Sequence, residues 1–112
     1  MSIFYFIVPL VVLAFVFLRR RGLPESTLKE LLQNGAQVID VRTSAEFRRG
    51  HGEGALNIPL DQLEGRTKEL DPSRPVVLCC ASGSRSGMAV SLLKRRGFTD
   101  VHNAGPWTAL RS

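Results

Sequence analysis

The chain has 112 residues and a net charge of +5 at pH 7, to which the consecutive Arg19, Arg20 and Arg21 contribute three charges. Without that trio the charge balance is modest, and no basic stripe with interleaved aromatics is present, which excludes nucleic acid as the expected partner. The two cysteines, Cys79 and Cys80, are adjacent, which excludes a framework of spaced disulfides and fits a reducing compartment. His51 and His102 show no ligand spacing with them, so no metal is expected.

Residues 1–18 carry no charge, and Ile3 to Leu18 is apolar apart from Tyr5 and Pro9. As a helix this run spans about 27 Å, close to the roughly 30 Å of a bilayer's hydrocarbon core. The expectation is a transmembrane anchor with a basic stop over 1–21, followed by one domain over 22–112. A signal peptide would carry its positive charge before the apolar run, and a core helix would show a polar face; this run does neither. The arginine trio predicts a single pass through an inner or plasma membrane, with residues 1–20 in contact with it and the domain facing the cytoplasm.

Within the domain, Thr27 and Glu30 have the spacing of a capping box that opens a helix with Leu28, Leu31 and Leu32 inward and Gly35 at its end. Val38 to Val41 reads as a short buried strand. Thr43 and Glu46 form a second capping box, opening a brief helix through Phe47 to Arg49. Gly50 to Gly54 is a loop around His51 and Glu53, Leu56 to Ile58 a strand, and Pro59 to Leu70 a helix weakened by Gly65.

The run Pro75-Val76-Val77-Leu78 has the apolar, β-branched character of a buried parallel strand. Ser86 to Arg96 reads as a helix with Met88, Ala89, Leu92 and Leu93 on one face, Lys94-Arg95-Arg96 complementing its C-terminal dipole and Gly97 stopping it. Asp100 to Asn103 is a last strand, and Gly105-Pro106 opens a final helical turn. Alternating strands and helices predict an α/β fold, a small parallel sheet with right-handed crossovers and helices on both faces. Ligands of such sheets gather at the carboxyl ends of strands, where Asp40 and Cys80 both fall.

Between the central strand and its helix lies Cys80-Ala81-Ser82-Gly83-Ser84-Arg85-Ser86. A strand feeding a tight, Gly-containing loop into a helix makes a nest of backbone N–H groups. A thiol at its start is expected to have a lowered pKa and to be a nucleophile near neutral pH. Cys79 points to the opposite face of the strand and reads as a packing residue, or else as a resolving thiol. Arg85 is a cation at a helix start, poorly placed unless it binds an anion. Ser86 reads as a possible helix cap.

The loop resembles the active-site loop of the rhodanese, or thiosulfate sulfurtransferase, family. An upstream block resembles the same family: Asp40-Val41-Arg42, Glu46-Phe47, Gly50-His51, Gly54-Ala55 and Asn57-Ile58-Pro59. With Ala104-Gly105 and Trp107, the resemblance runs over about residues 25 to 110. It implies a Cys80 persulfide, with Ala81 through Ser86 holding a small anionic donor such as thiosulfate, and a thiol or cyanide as acceptor. No cofactor is implied. Asp40, Arg42, Glu46 and His51 are expected to act as structural support, with Asp40 holding loop amides and Arg42 paired with Glu46. His51 invites a general-base role, but the resemblance puts it in a turn, and exchange from a thiolate needs little base catalysis.

Two departures stand out: Gly52 replaces a large apolar residue, and the chain runs only five residues past Trp107, where relatives commonly carry a longer closing helix. Two other functions share these residues. One is a non-enzymatic, membrane-held sulfur carrier or binding module. The other is a cysteine phosphatase, but those enzymes place one residue more between cysteine and arginine than the four found here. The sequence sets no oligomeric state.

Overall fold

The computed structural model describes residues 22–111. The expected anchor over 1–21 lies outside them, and among the described residues no helix is long and apolar enough to cross a membrane. Four strands, β1 (Gln37–Asp40), β2 (Leu56–Asn57), β3 (Val76–Cys80) and β4 (Val101–Pro106), pair in parallel in the order β2-β1-β3-β4. Their helices are α1 (Glu25–Gln33), α2 (Ser44–Arg48), α3 (Leu60–Leu63) and α4 (Ser84–Arg95), with 3-10 turns at Glu64–Glu69 and Trp107–Leu110.

Every residue of β3 is buried, as a central parallel strand covered on both faces must be. Its period of two divides the core. Val76, Leu78 and Cys80 join Leu63, Leu70, Ala89, Leu93 and Phe98 from α3, α4 and their flanks. Val77 and Cys79 join Leu28, Ala104 and Leu110, backed by Leu31 and Trp107, on the other face. The two neighbouring cysteines thus belong to different halves of the core.

Several local expectations fail for identifiable reasons. The Thr27–Glu30 capping box is not formed, because α1 begins three residues earlier, after Pro24, whose fixed φ starts the helix without a side-chain cap. Leu32 is 41% exposed and Met88 63% exposed, so the inward faces of α1 and α4 are narrower than their spacing suggests. The helix expected from Pro59 to Leu70 is α-helical only through Leu63; it tightens to 3-10 and breaks at Arg66 (φ −122°), beside Gly65. Gly105 and Pro106 extend β4 instead of opening a helix, and the last turn begins at Trp107.

The Gly52 departure finds its explanation in packing. A Cβ built on Gly52 would lie 2.6 Å from Leu110 Cβ and 3.2 Å from the Leu110 carbonyl oxygen. Leu110, itself buried, occupies the space that a large side chain at position 52 would need.

Candidate active site

β3 delivers Cys80 to the carboxyl edge of the sheet, and three residues later the chain enters α4. Gly83 makes the turn possible. Its φ of +103° lies in the left-handed region, which costs a residue with a Cβ roughly 1–2 kcal/mol. In that conformation its N–H points at Cys80 Sγ, 2.9 Å away. The Ser86 Oγ lies 3.3 Å from the same sulfur. Burial pushes the Cys80 thiol up, but the Ser86 hydroxyl and the backbone N–H groups of Ser86, Gly83 and Ser82 outweigh it, leaving the thiol below its ordinary range. Cys80 has no exposed surface, while Ala81, Ser82 and Ser84 are the exposed residues of the loop.

Cys79 differs in its electrostatics. It is equally buried, but burial first, and then the negative charge of Asp40, push its thiol far above the ordinary range.

Arg85 is where the structure departs most from the expected site. α4 begins at Ser84, two residues ahead of the expected start, so Arg85 falls in its first turn, and Gly83 takes the cap position in place of Ser86. The anion that Arg85 requires there comes from the protein. Its Nη1 and Nη2 donate to Glu46 Oε1 and Oε2 at 2.6 and 3.0 Å. The expected Arg42–Glu46 ion pair is therefore not formed; Arg42 reaches only the Glu46 carbonyl oxygen, at 3.4 Å. Glu46 also closes the capping box of α2, accepting from the Thr43 N–H and hydroxyl at 3.0 Å each. One carboxylate thus ties the first turns of α2 and α4 together. The Arg85 guanidinium and the Thr43 N–H hold the Glu46 carboxyl down, to about 2. Because the folded pKa is depressed, the pair's contribution to stability is complete above the ordinary carboxylate range, shrinks as pH falls below it and is gone once pH has fallen through about 2.

Asp40 and Arg42 form a second, buried pair. Asp40 is fully buried and Arg42 is 4% exposed. The Arg42 Nε donates to Asp40 Oδ1 at 3.0 Å and Nη2 to Oδ2 at 2.8 Å, while the Arg42 N–H also donates to Oδ1. The same guanidinium donates to the Gly50 carbonyl oxygen at 2.7 Å and lies 4.5 Å from the centre of the Trp107 ring. Asn57 Nδ2 bridges the carbonyl oxygens of Asp40 and Arg42, pinning β2 to the end of β1. His51 takes no part in this. It is exposed, its ring stacks on Phe47 at 3.8 Å, and its Nδ1 donates to the Phe47 carbonyl oxygen at 2.9 Å. It lies in the irregular stretch between α2 and β2, just ahead of the turn at Glu53 and Gly54.

Asn103 was not among the residues singled out in the sequence, yet its side chain holds Gly83 and Ser86. The available signal was an Asn two residues before a Gly at a strand end, a spacing that favours a local side-chain turn. Beside the loop, an open cleft of about 290 Å³ is lined by Val41, Thr43, Pro59, Leu60, Asp61 and Arg85. Among the described residues no group of three or more His, Cys, Asp or Glu is placed to hold a metal ion.

Residues 25–105 match the model of the Rhodanese-like domain family. The chain is 42% identical over 94 residues to thiosulfate sulfurtransferase 18 of Arabidopsis thaliana, covering 71% of this chain and 69% of that one. It is 47% identical over 68 residues to the uncharacterized protein YqhL of Bacillus subtilis, covering 61% of this chain and 54%, about half, of that protein's length. Among solved structures, a rhodanese-related protein from Thermoplasma volcanium superimposes with a TM-score of 0.68 at 27% identity, over 79% of this chain and 86% of that one. A family match over most of the described residues, on an all-parallel sheet that ends at a cysteine loop, places the chain in the rhodanese-like family.

Proposed function

We propose that the protein is a sulfurtransferase that takes the outer sulfur of thiosulfate, or of a similar small anion, onto Cys80 and passes it to a thiol or cyanide. The observation that carries this reading is the pair of groups aimed at one sulfur, the Gly83 N–H and the Ser86 hydroxyl at the start of α4. Cys80 thiolate attacks the sulfane sulfur, the S–S bond of thiosulfate breaks, and sulfite leaves with the bonding pair. A Cys80 persulfide anion remains, and the N–H groups that favour the thiolate favour that anion too. An acceptor thiolate or cyanide then attacks the outer sulfur and returns Cys80 to the thiolate. No step needs a base, which agrees with the peripheral position of His51. Arg85 lines the cleft beside the loop, but its guanidinium is held by Glu46 and is not free to grip a phosphoryl group as a phosphatase arginine must.

The test is intact mass with and without thiosulfate. The protein should gain one sulfur atom, lose it to cyanide with release of thiocyanate, and do so repeatedly. A gain without turnover would make the protein a sulfur carrier; no gain, together with hydrolysis of aryl phosphates, would make it a phosphatase.

The same reading includes the anchor: residues 1 to about 20 cross a membrane once and hold the domain on the cytoplasmic side. Neither native cysteine offers surface to a bulky, membrane-impermeant reagent, so the check uses a cysteine at the exposed position Thr99. A membrane-impermeant thiol reagent should label Thr99→Cys only after cells are permeabilised, with the protein in the membrane fraction. Labelling of intact cells would reverse the orientation, and recovery in the soluble fraction would remove the anchor.

A further inference from the structure

We propose that Asn103, on β4, is the positioning residue that shapes the Cys80 loop and so sets how readily its sulfur carries negative charge. The inference rests on Cys80 being the reacting thiol. Asn103 Oδ1 accepts from the Gly105 N–H at 2.8 Å, and Nδ2 donates to the Gly83 carbonyl oxygen at 3.0 Å. The first partner can only donate and the second can only accept, so the amide has one orientation. Oδ1 also takes the Ser86 hydroxyl, at 2.7 Å. One side chain therefore holds both residues that point at the sulfur.

The fold gives Asn103 this reach through an irregularity. β3 and β4 pair Leu78 with Asn103 but Cys79 with Gly105, so Ala104 is an extra residue on β4. Such a bulge bends its strand and re-aims the neighbouring side chains. Asn103, level with Leu78, shares the face of the sheet that carries Cys80 and α4, whereas Ala104 packs into the opposite half of the core.

The Ser86 hydroxyl has one hydrogen and two acceptors, Asn103 Oδ1 and Cys80 Sγ. When the sulfur is charged it takes that hydrogen, since a charged acceptor binds it more strongly. Oδ1 keeps its bond to the Gly105 N–H and loses little. What Asn103 gives the charged sulfur is placement: the Gly83 carbonyl is fixed, so the Gly83 N–H stays aimed, and the Ser86 Oγ stays within reach. The charged groups around the two cysteines are Arg85 on α4, held by Glu46 of α2, and the Asp40–Arg42 pair at the end of β1. On β4, His102 pairs with Asp100. None of these is a hydrogen-bond partner of Asn103.

The test is the pH dependence of Cys80 alkylation by iodoacetamide on the full chain, located by peptide mass. Asn103→Ala removes all three bonds. Asn103→Ser is the variant safer for folding, because a hydroxyl can keep the local turn to the Gly105 N–H but is too short to reach Gly83. Both should raise the midpoint by about one pH unit, an alkylation about tenfold slower below it. An unchanged midpoint in a folded variant overturns the proposal. A lowered midpoint overturns it too, since Asn103 would then only compete for the Ser86 hydrogen. The parent protein separates the two readings. If Cys80 alkylates with a low midpoint yet takes no sulfur from thiosulfate, the sulfurtransferase reading fails while Asn103 keeps its role.

Discussion

Cys80→Ser is expected to reduce thiosulfate-to-cyanide transfer by at least about a thousandfold, with the fold intact. The serine oxygen is a far weaker nucleophile at neutral pH and cannot hold a sulfane sulfur, so the mass gain with thiosulfate should vanish as well. The neighbouring Cys79→Ser should behave in the opposite way. Cys79 faces the other half of the core, and its thiol is held neutral by burial and by Asp40, so it has no thiolate to offer. Its replacement puts a hydroxyl into an apolar cluster and should cost about 1–3 kcal/mol of stability, with activity within a few-fold of the parent. Urea denaturation and a turnover assay on both variants decide this. Activity that survives in Cys80→Ser and disappears in Cys79→Ser would move the site one residue back along β3.

What the sequence shows clearly is what neighbouring residues dictate. The β-branched run before Cys80, the glycine three residues after it and the capping box Thr43–Glu46 each specify a local conformation, and all three are found. The failures involve partners far apart in the chain. Arg85 and Glu46 are 39 residues apart, and each had a plausible partner elsewhere: the donor anion for Arg85 and Arg42 for Glu46. Only the meeting of two helix N-termini resolves that competition. Asn103 escaped notice because its role depends on a bulge between β3 and β4, which no single strand's pattern encodes. Gly52 and Leu110 fit each other but lie 58 residues apart, so Gly52 alone looked like a loss. The unused Thr27–Glu30 spacing makes the converse point: in a helix already started by Pro24, the Glu30 N–H lies beyond the first turn and needs no side-chain acceptor.

The buried Asp40–Arg42 pair should dominate the stability of the site. Arg42→Leu is expected to cost about 3–5 kcal/mol, because it leaves a fully buried carboxylate with no cation beside it, only the N–H of its own loop and the Cys79 thiol. It also frees the Gly50 carbonyl oxygen and removes one of the two guanidinium groups over the Trp107 ring, leaving Arg111. Domains of this size have about 5–15 kcal/mol in total, so the variant should unfold at a much lower urea concentration. Adding Asp40→Asn to Arg42→Leu should recover part of the loss, since no buried charge is then left unpaired. Arg42→Lys should fall between the parent and Arg42→Leu. A lysine keeps the charge but cannot bridge both Asp40 oxygens and Gly50 while stacking on the indole. Urea midpoints of the three variants, compared at a common slope, give the answer. If Arg42→Leu lies within about 1 kcal/mol of the parent, or if the double variant is no more stable than the single, the pair is not what ties the end of β1 to the Gly50 loop.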